Sequence, residues 1–265
     1  MPAITRMLAA TCAAAAAGAA LTGCTGDDSG DESAPLLAPV VTTSAAAEPF
    51  SDLSGAQLMK RAEQDMRDSG AMTIESKGTE DGAPLHMKEA ITDSGKCVVA
   101  ADSDGMSFQI IGVSATEAYL KADKEFWIEN GGAGAAGRLA GKWVKLPAAE
   151  ISDSGMQDMC DLDSAMDEAS ADDDESTFTK QAPVELDGKQ VVPIVEDSSD
   201  GTTTIYVSTG DTPYIVKSVI ADGDSPEVDV FSDFGKPPHI VAPPRALTID
   251  PGDLGGNPGG GGLHI

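Results

Sequence analysis

Aromatic side chains are scarce in this 265-residue chain, at 4%, so any core must be filled by Val, Ile, Leu, Met and Ala. Histidine is scarcer still, with only His86, His239 and His264. No Gly-x-Ser-x-Gly, His-Glu-x-x-His, Cys-x-x-Cys or glycine-rich phosphate loop occurs. Those arrangements position a nucleophile, a catalytic metal, a redox pair or a nucleotide, so the residues argue against an enzyme and no catalytic residue is expected. His86 reads as a strand residue beside Met87. Basic residues are few: 17 Lys and Arg stand against 44 Asp and Glu, a net charge of −27. Such a chain is repelled by nucleic acid and by anionic membrane surfaces alike. The acidic runs Asp27-Asp28, Asp172 to Glu175 and Asp197 to Asp200 lack the ligand spacing of a calcium loop. They read as solvated surface, and neither metal nor cofactor is expected. The apolar run from Met7 to Ala20 has 14 residues, short of the roughly 20 that span a bilayer.

That run is instead the middle of a secretory leader, between the single charge of Arg6 and a set of small residues. It ends in Leu21-Thr22-Gly23-Cys24, which resembles the bacterial lipobox residue by residue. The resemblance implies cleavage before Cys24 and a diacylglyceryl thioether on its sulfur, so that the chain is anchored to the outer face of the cell membrane. An ordinary signal peptide with an incidental Cys24 is the alternative. Arg6 leaves with the leader, so 16 basic residues face 44 acidic ones and the net charge becomes −28. Electrostatics cannot then hold the protein to a membrane; acyl chains can, at about 0.8 kcal/mol per buried methylene.

The organisation that follows is a leader (1–23), a tether of acid, Ser, Pro and Ala (24–50), one domain (51–235) and a Pro/Gly-rich tail (236–265) expected to be largely disordered. Cys12 leaves with the leader and Cys24 takes the lipid. Cys97 and Cys160 remain, and in an exported chain two remaining cysteines usually pair. Two buried free thiols are the alternative, and a metal pair suits poorly because no His neighbours either.

Ser54-Gly55-Ala56-Gln57 has capping-box spacing, with Leu58, Met59, Ala62 and Met66 recurring behind it at helical intervals. From Ala71 to Lys121 the period changes to two. Five strands near 71–78, 85–92, 96–101, 105–112 and 116–121 are divided by Asp81-Gly82, Ser94-Gly95, Asp104-Gly105 and a turn at 112–115. In the fourth, Met106, Phe108 and Ile110 share a face. A short helix is expected at Asp123 to Asn130, a Gly/Ala-rich and partly helical connector to Gly141, and a strand at 141–147. A second helix is expected from Ser154, with Met156, Met159, Cys160 and Met166 along one stripe, so that a Cys97–Cys160 bond would pin it to the sheet. Five more strands follow near 176–181, 189–195, 202–208, 213–220 and 227–231, and part of 236–249 can lie along the domain.

The segments Tyr119-Leu120-Lys121-Ala122-Asp123, Phe126-Trp127 and Gly141-Lys142-Trp143-Val144, taken in this order of elements over about residues 50–235, resemble actinobacterial lipoproteins of the LppX/LprG type. These are similar in fold to the LolA/LolB carriers. The resemblance implies an α+β fold: a strongly curved antiparallel sheet, an unclosed half-barrel of about eleven strands, with helices across its concave face. It also implies a monomer that binds or carries acyl chains of a lipid, glycolipid or lipoglycan between sheet and helices. Cavity candidates are Leu58, Met59, Ala62, Met66, Met106, Phe108, Ile110, Met156, Met159 and Met166. Methionine is flexible and polarizable and suits variable apolar shapes, yet it also fills gaps in a core short of rings. The competing expectation is therefore a cell-surface interaction or scaffolding lipoprotein whose hollow is filled by its own side chains.

Overall fold

The computed structural model describes residues 48–80, 82–153, 156–169, 176–198, 201–220 and 226–250. The chain divides into Met1–Ala45 and Ala46–Ile265. The leader, Cys24 and the tether up to residue 47 lie outside the described residues, as do 251–265 of the tail.

The first helix, α1 (Gly55–Asp68), begins as its sequence predicts. Ser54 Oγ accepts from the Gln57 amide at 3.2 Å and Gln57 Oε1 accepts from the Ser54 amide at 2.9 Å, the reciprocal capping box. It buries Leu58, Met59, Ala62 and Met66. Ser69 ends it, and Gly70 (φ +72°) turns the chain into the sheet.

Five strands then follow as a meander: β1 (Ala71–Glu80), β2 (Ala83–Thr92), β3 (Cys97–Ser103), β4 (Met106–Ser114) and β5 (Glu117–Ala122), each antiparallel to the last. Asp104 and Gly105 both take positive φ, 47° and 79°, as the two-residue turn between β3 and β4 requires. Next comes α2 (Lys124–Leu139), capped by Asp123 Oδ1 on the Phe126 amide at 2.8 Å. Gly132 (φ 74°, ψ 174°) is not helical and divides this stretch in two, matching the expected short helix and the partly helical connector behind it. After β6 (Trp143–Lys145), Pro147 leads into α3 (Ala148–Asp153), which the sequence reading did not expect.

The second helix expected from Ser154 is not continuous. It is α4 (Met156–Met159) and α5 (Leu162–Ala169), and Cys160 lies in the turn between them rather than on a helical face. Asp161 is the reason: its Oδ1 accepts from the Ser164 amide at 2.9 Å and starts a new helix. The expected cap residues Ser154 and Gly155 lie outside the described residues. Cys97 and Cys160 are joined by a disulfide, with Cα atoms 5.0 Å apart, so the tether reaches from β3 to the α4–α5 turn.

The second meander comprises β7 (Thr177–Lys180), β8 (Val184–Leu186), β9 (Lys189–Ser198), β10 (Gly201–Ser208), β11 (Ile215–Ile220) and β12 (Glu227–Ser232). β7 and β8 pair in turn with the same strand, β9. β12 then pairs with β1, Ile74 opposite Phe231, and this seam joins the meanders into one curved, unclosed sheet. Beyond a single 3-10 turn at Arg245–Leu247, β13 (Thr248–Ile249) lies parallel to β6. The sheet has thirteen strands in the order β13-β6-β5-β4-β3-β2-β1-β12-β11-β10-β9-β7, with β8 beside β9. Two short strands, β8 and β13, exceed the eleven segments readable in the sequence.

The described α-helices pack on one face of the sheet. Side chains of paired residues stand on the same side of a sheet, so Met72, Ile91, Cys97 and Gly112 share that face, as do Ile194, Ile205 and Phe231. Helix α1 is fixed at its start by Lys180, whose Nζ donates to the Phe50 and Leu53 carbonyls at 2.6 Å each. A Cβ on Gly55 would overlap the Phe178 carbonyl, so the helix start is in backbone contact with β7. At its other end Arg67 reaches Asp167 at 2.7 Å and Asp163 at 3.4 Å, linking α1 to α5.

Candidate functional site

The concave face has two parts, distinguished by what lies over it. Across its covered part the side chains are sealed: Leu58, Ala62, Met66, Ile110, Val99 and Val207 have no exposed surface, and Met166 has 1%. A side chain lining a space wide enough for solvent would keep some accessible area. These residues pack in the core, as does Met59, which is 4% exposed. Met159 is partly buried against the same core, while the Met156 side chain lies outside the described residues.

Met106 and Phe108 behave differently. Both are partly buried, and pairing aligns them with others on the same face. Met106 opposes Ser103, which opposes Leu85; Phe108 opposes Ala101, which opposes Met87. Leu85 and Met87 are partly buried too. Farther along the first of these rows, past Gly78 and Glu227, comes Ile220, again partly buried. These residues lie toward the β3–β4 turn, at the end of the face away from the Ala71–Thr92–Cys97 end, where α1 hands the chain to the sheet.

Helix α2 borders this end. Phe126 stacks obliquely on Phe108 at 5.7 Å between ring centroids, and Trp127 meets Phe126 edge-on at 5.4 Å. One residue further, Ile128 is 44% exposed. An open groove of about 570 Å³ runs between Ile128 and Met106, with Asp104, Glu125 and Glu129 on its lip. A second groove, of about 770 Å³, shares Asp104 and Met106 and continues past Ser103 and Leu85 to Gly78. Lys77, His86, Asp102 and Asp123 also line the second groove, so the rim of this partly apolar mouth carries charges of both signs.

Deeper on the β9 side of the face sits Glu196, which is 6% exposed. Its Oε1 has no hydrogen-bond partner among the described residues. Burial pushes its carboxyl above the usual range, partly offset by the Ser176 hydroxyl. Leu85, Ile128, Ile220 and Glu196 were not singled out from the sequence. Alternation alone marks each strand's two faces, but it cannot show which residues the helices leave uncovered.

His86 alternates onto the opposite face, 3.3 Å from both Glu75 and Asp102, and lines the second groove where it reaches the strand ends. Among the described residues no three His, Cys, Asp or Glu side chains are grouped to hold a metal ion. No described helix is long and apolar enough to cross a membrane.

No protein-family model matches the chain, and no curated protein sequence does. Solved structures do match. The lipoprotein LppX of Mycobacterium tuberculosis is 10% identical, with a TM-score of 0.44 over 69% of this chain and 96% of that one. LprF of Mycobacterium bovis is 13% identical, with a TM-score of 0.47 over 74% and 99%. A LolA superfamily protein of Nitrosomonas europaea is 7% identical, with a TM-score of 0.24 over 68% and 92%. The chain is thus similar, at low identity, to mycobacterial lipoproteins of the LppX and LprF kind and to a LolA superfamily protein.

Proposed function

We propose that this chain is a lipoprotein anchored through Cys24 to the outer face of the cell membrane, and that it binds an apolar ligand at the uncovered end of its half-barrel. The observation that carries the reading is the partial burial of Leu85, Met87, Met106, Phe108 and Ile220 at one end of a face whose other end is covered by helices. An acyl chain laid along them would remove that area from water at about 25 cal/mol per Å². Binding and release are passive on this reading: chains enter the mouth, head groups remain at it, and no covalent step is involved. In the glycine-rich second half of α2 a Cβ at Gly134 or Gly137 would meet nothing within 4 Å. Those glycines are not required by packing, and they weaken the helix by about 1 kcal/mol each relative to alanine.

Native mass spectrometry of protein extracted from membranes tests the ligand: a non-covalent adduct of lipid mass supports it. The sealed burial of Leu58, Met66 and Ile110 favours a second reading, a scaffolding lipoprotein with a filled core, and an adduct-free spectrum would establish that instead. The anchor is tested separately. Labelled palmitate should enter the wild type and not Cys24→Ala, and equal labelling of both would refute it.

A further inference from the structure

The bridge from β3 to the α4–α5 turn is not covered evenly. A third groove, of about 340 Å³, lies at the end of the sheet away from the mouth, where the β4–β5 turn meets α3 and the α4–α5 turn. Gly112, Ala115 and Ala118 of the sheet line it together with Ile151 of α3 and Cys160 itself. Cys160 keeps 5% of its surface exposed, whereas Cys97 has none and is not among the lining residues. Gly112 contributes to that access, since a Cβ on it would lie 2.7 Å from Cys160 Sγ, where none now stands. One end of the bridge therefore borders an open groove and the other is sealed.

We infer that Cys160 is a site of thiol–disulfide exchange in the folded protein, attacked from this groove by a small thiol without net negative charge. Which sulfur is attacked depends on access, and access here selects Cys160. The attacking thiolate forms a bond to Cys160 Sγ, the bond to Cys97 breaks, and Cys97 leaves as a thiolate that takes a proton from water. A second thiol then attacks the sulfur of the first and releases Cys160 as a thiol. Two small thiols are thus oxidised to their disulfide while the bridge gains two electrons and two protons. Between the steps Cys97 remains beside Cys160, their Cα atoms 5.0 Å apart, so it can expel the bound thiol and restore the bridge. The groove also discriminates by charge. Asp158 and Asp161 line it, and no Lys or Arg does among the described residues. Asp161 is held in place, its Oδ1 accepting from the Ser164 amide at 2.9 Å and hydroxyl at 3.0 Å. The incoming thiolate is already an anion, and a second negative charge on it adds to the repulsion, while an ammonium offsets it. The site is independent of the apolar mouth at the opposite end of the face.

The test treats the oxidised full mature protein with cysteamine, mercaptoethanol or mercaptoethanesulfonate, quenches with acid, and maps adducts by peptide mass spectrometry. Each rate is taken relative to that of the same thiol with the urea-unfolded chain, which removes differences in intrinsic nucleophilicity. Adducts should fall on Cys160 at least about tenfold more often than on Cys97. The rate should stay flat in urea well below the unfolding transition, because attack from the groove exposes no further surface. Relative rates should fall from cysteamine to mercaptoethanesulfonate by about tenfold at low salt, and Asp158→Asn should narrow that span. Ala115→Trp, at an exposed position on the groove, should slow all three by about tenfold or more with the urea midpoint unchanged. A rate that climbs with urea as unfolding does, adducts shared equally with Cys97, or an undiminished rate in Ala115→Trp overturns attack from the groove. Equal relative rates for the three thiols overturn the charge preference and leave the exchange site standing.

Discussion

Gly112 of β4 stands directly over the disulfide: a Cβ placed on it would lie 2.7 Å from Cys160 Sγ and 3.0 Å from Cys97 Sγ. The glycine is there for space, because the sulfur bridge rises from β3 through the position its side chain would take. Gly112→Ala should therefore cost about 1–3 kcal/mol, as overpacking does, in urea unfolding of the oxidised protein. In a Cys97→Ala/Cys160→Ala background most of that cost should vanish. An unchanged cost there would mean that the glycine serves something other than the bridge.

Breaking the bridge has its own expected consequence. It closes a sequence separation of 63 residues, so the chain-entropy model gives a loss of roughly 4 kcal/mol on reduction. Urea midpoints with and without reductant would measure it. Because Cys160 joins α4 to α5 and Arg67 joins α5 to α1, hydrogen exchange should rise in both α1 and α5 on reduction, and little in β9 and β10.

The two classes of methionine should separate cleanly. Met66 is sealed, so Met66→Ala should destabilise by about 2–5 kcal/mol. Met106 lines the open groove, so Met106→Ala should cost clearly less stability than Met66→Ala and should weaken binding of an alkyl chain instead. Comparable losses of stability in the two variants would count against the division of the face.

Glu196 makes stability depend on pH in a definite direction. Its carboxyl is raised above the usual value of 4.5 by burial, so the folded state holds the proton more tightly than the unfolded chain does. Stability contributed by this group is then full below about pH 4.5 and falls as pH rises through the folded-state value. Glu196→Gln, which cannot ionise, should raise the melting temperature at neutral pH. The advantage should fade as the pH is lowered toward 4.5, and a constant advantage at all pH values would contradict the assignment. Glu150, also raised by burial, adds to the same trend and remains in the variant.

Much of the local structure was legible in the residues. Ser54 and Gln57 announced α1, and Asp104-Gly105 announced the turn between β3 and β4, because caps and tight turns need particular side chains and backbone angles within a few positions. The shortest elements were not. Strands of two and three residues such as β13 and β8 are too brief to set up an alternation. The break at Cys160 depended on Asp161 capping a new helix where the methionine stripe suggested continuity.

Sequence alone determined which residues alternate, where chains turn, and that an acidic polypeptide with a lipobox-like leader carries two cysteines suited to pairing. Tertiary structure decided the seam of Ile74 with Phe231, 157 positions apart in the chain, and with it the joining of the two meanders. It also decided that Met66 is core while Met106 is rim. The physical reason is that hydrogen-bonded turns are local, whereas burial depends on which distant element comes to lie over a face, and no short-range pattern encodes that.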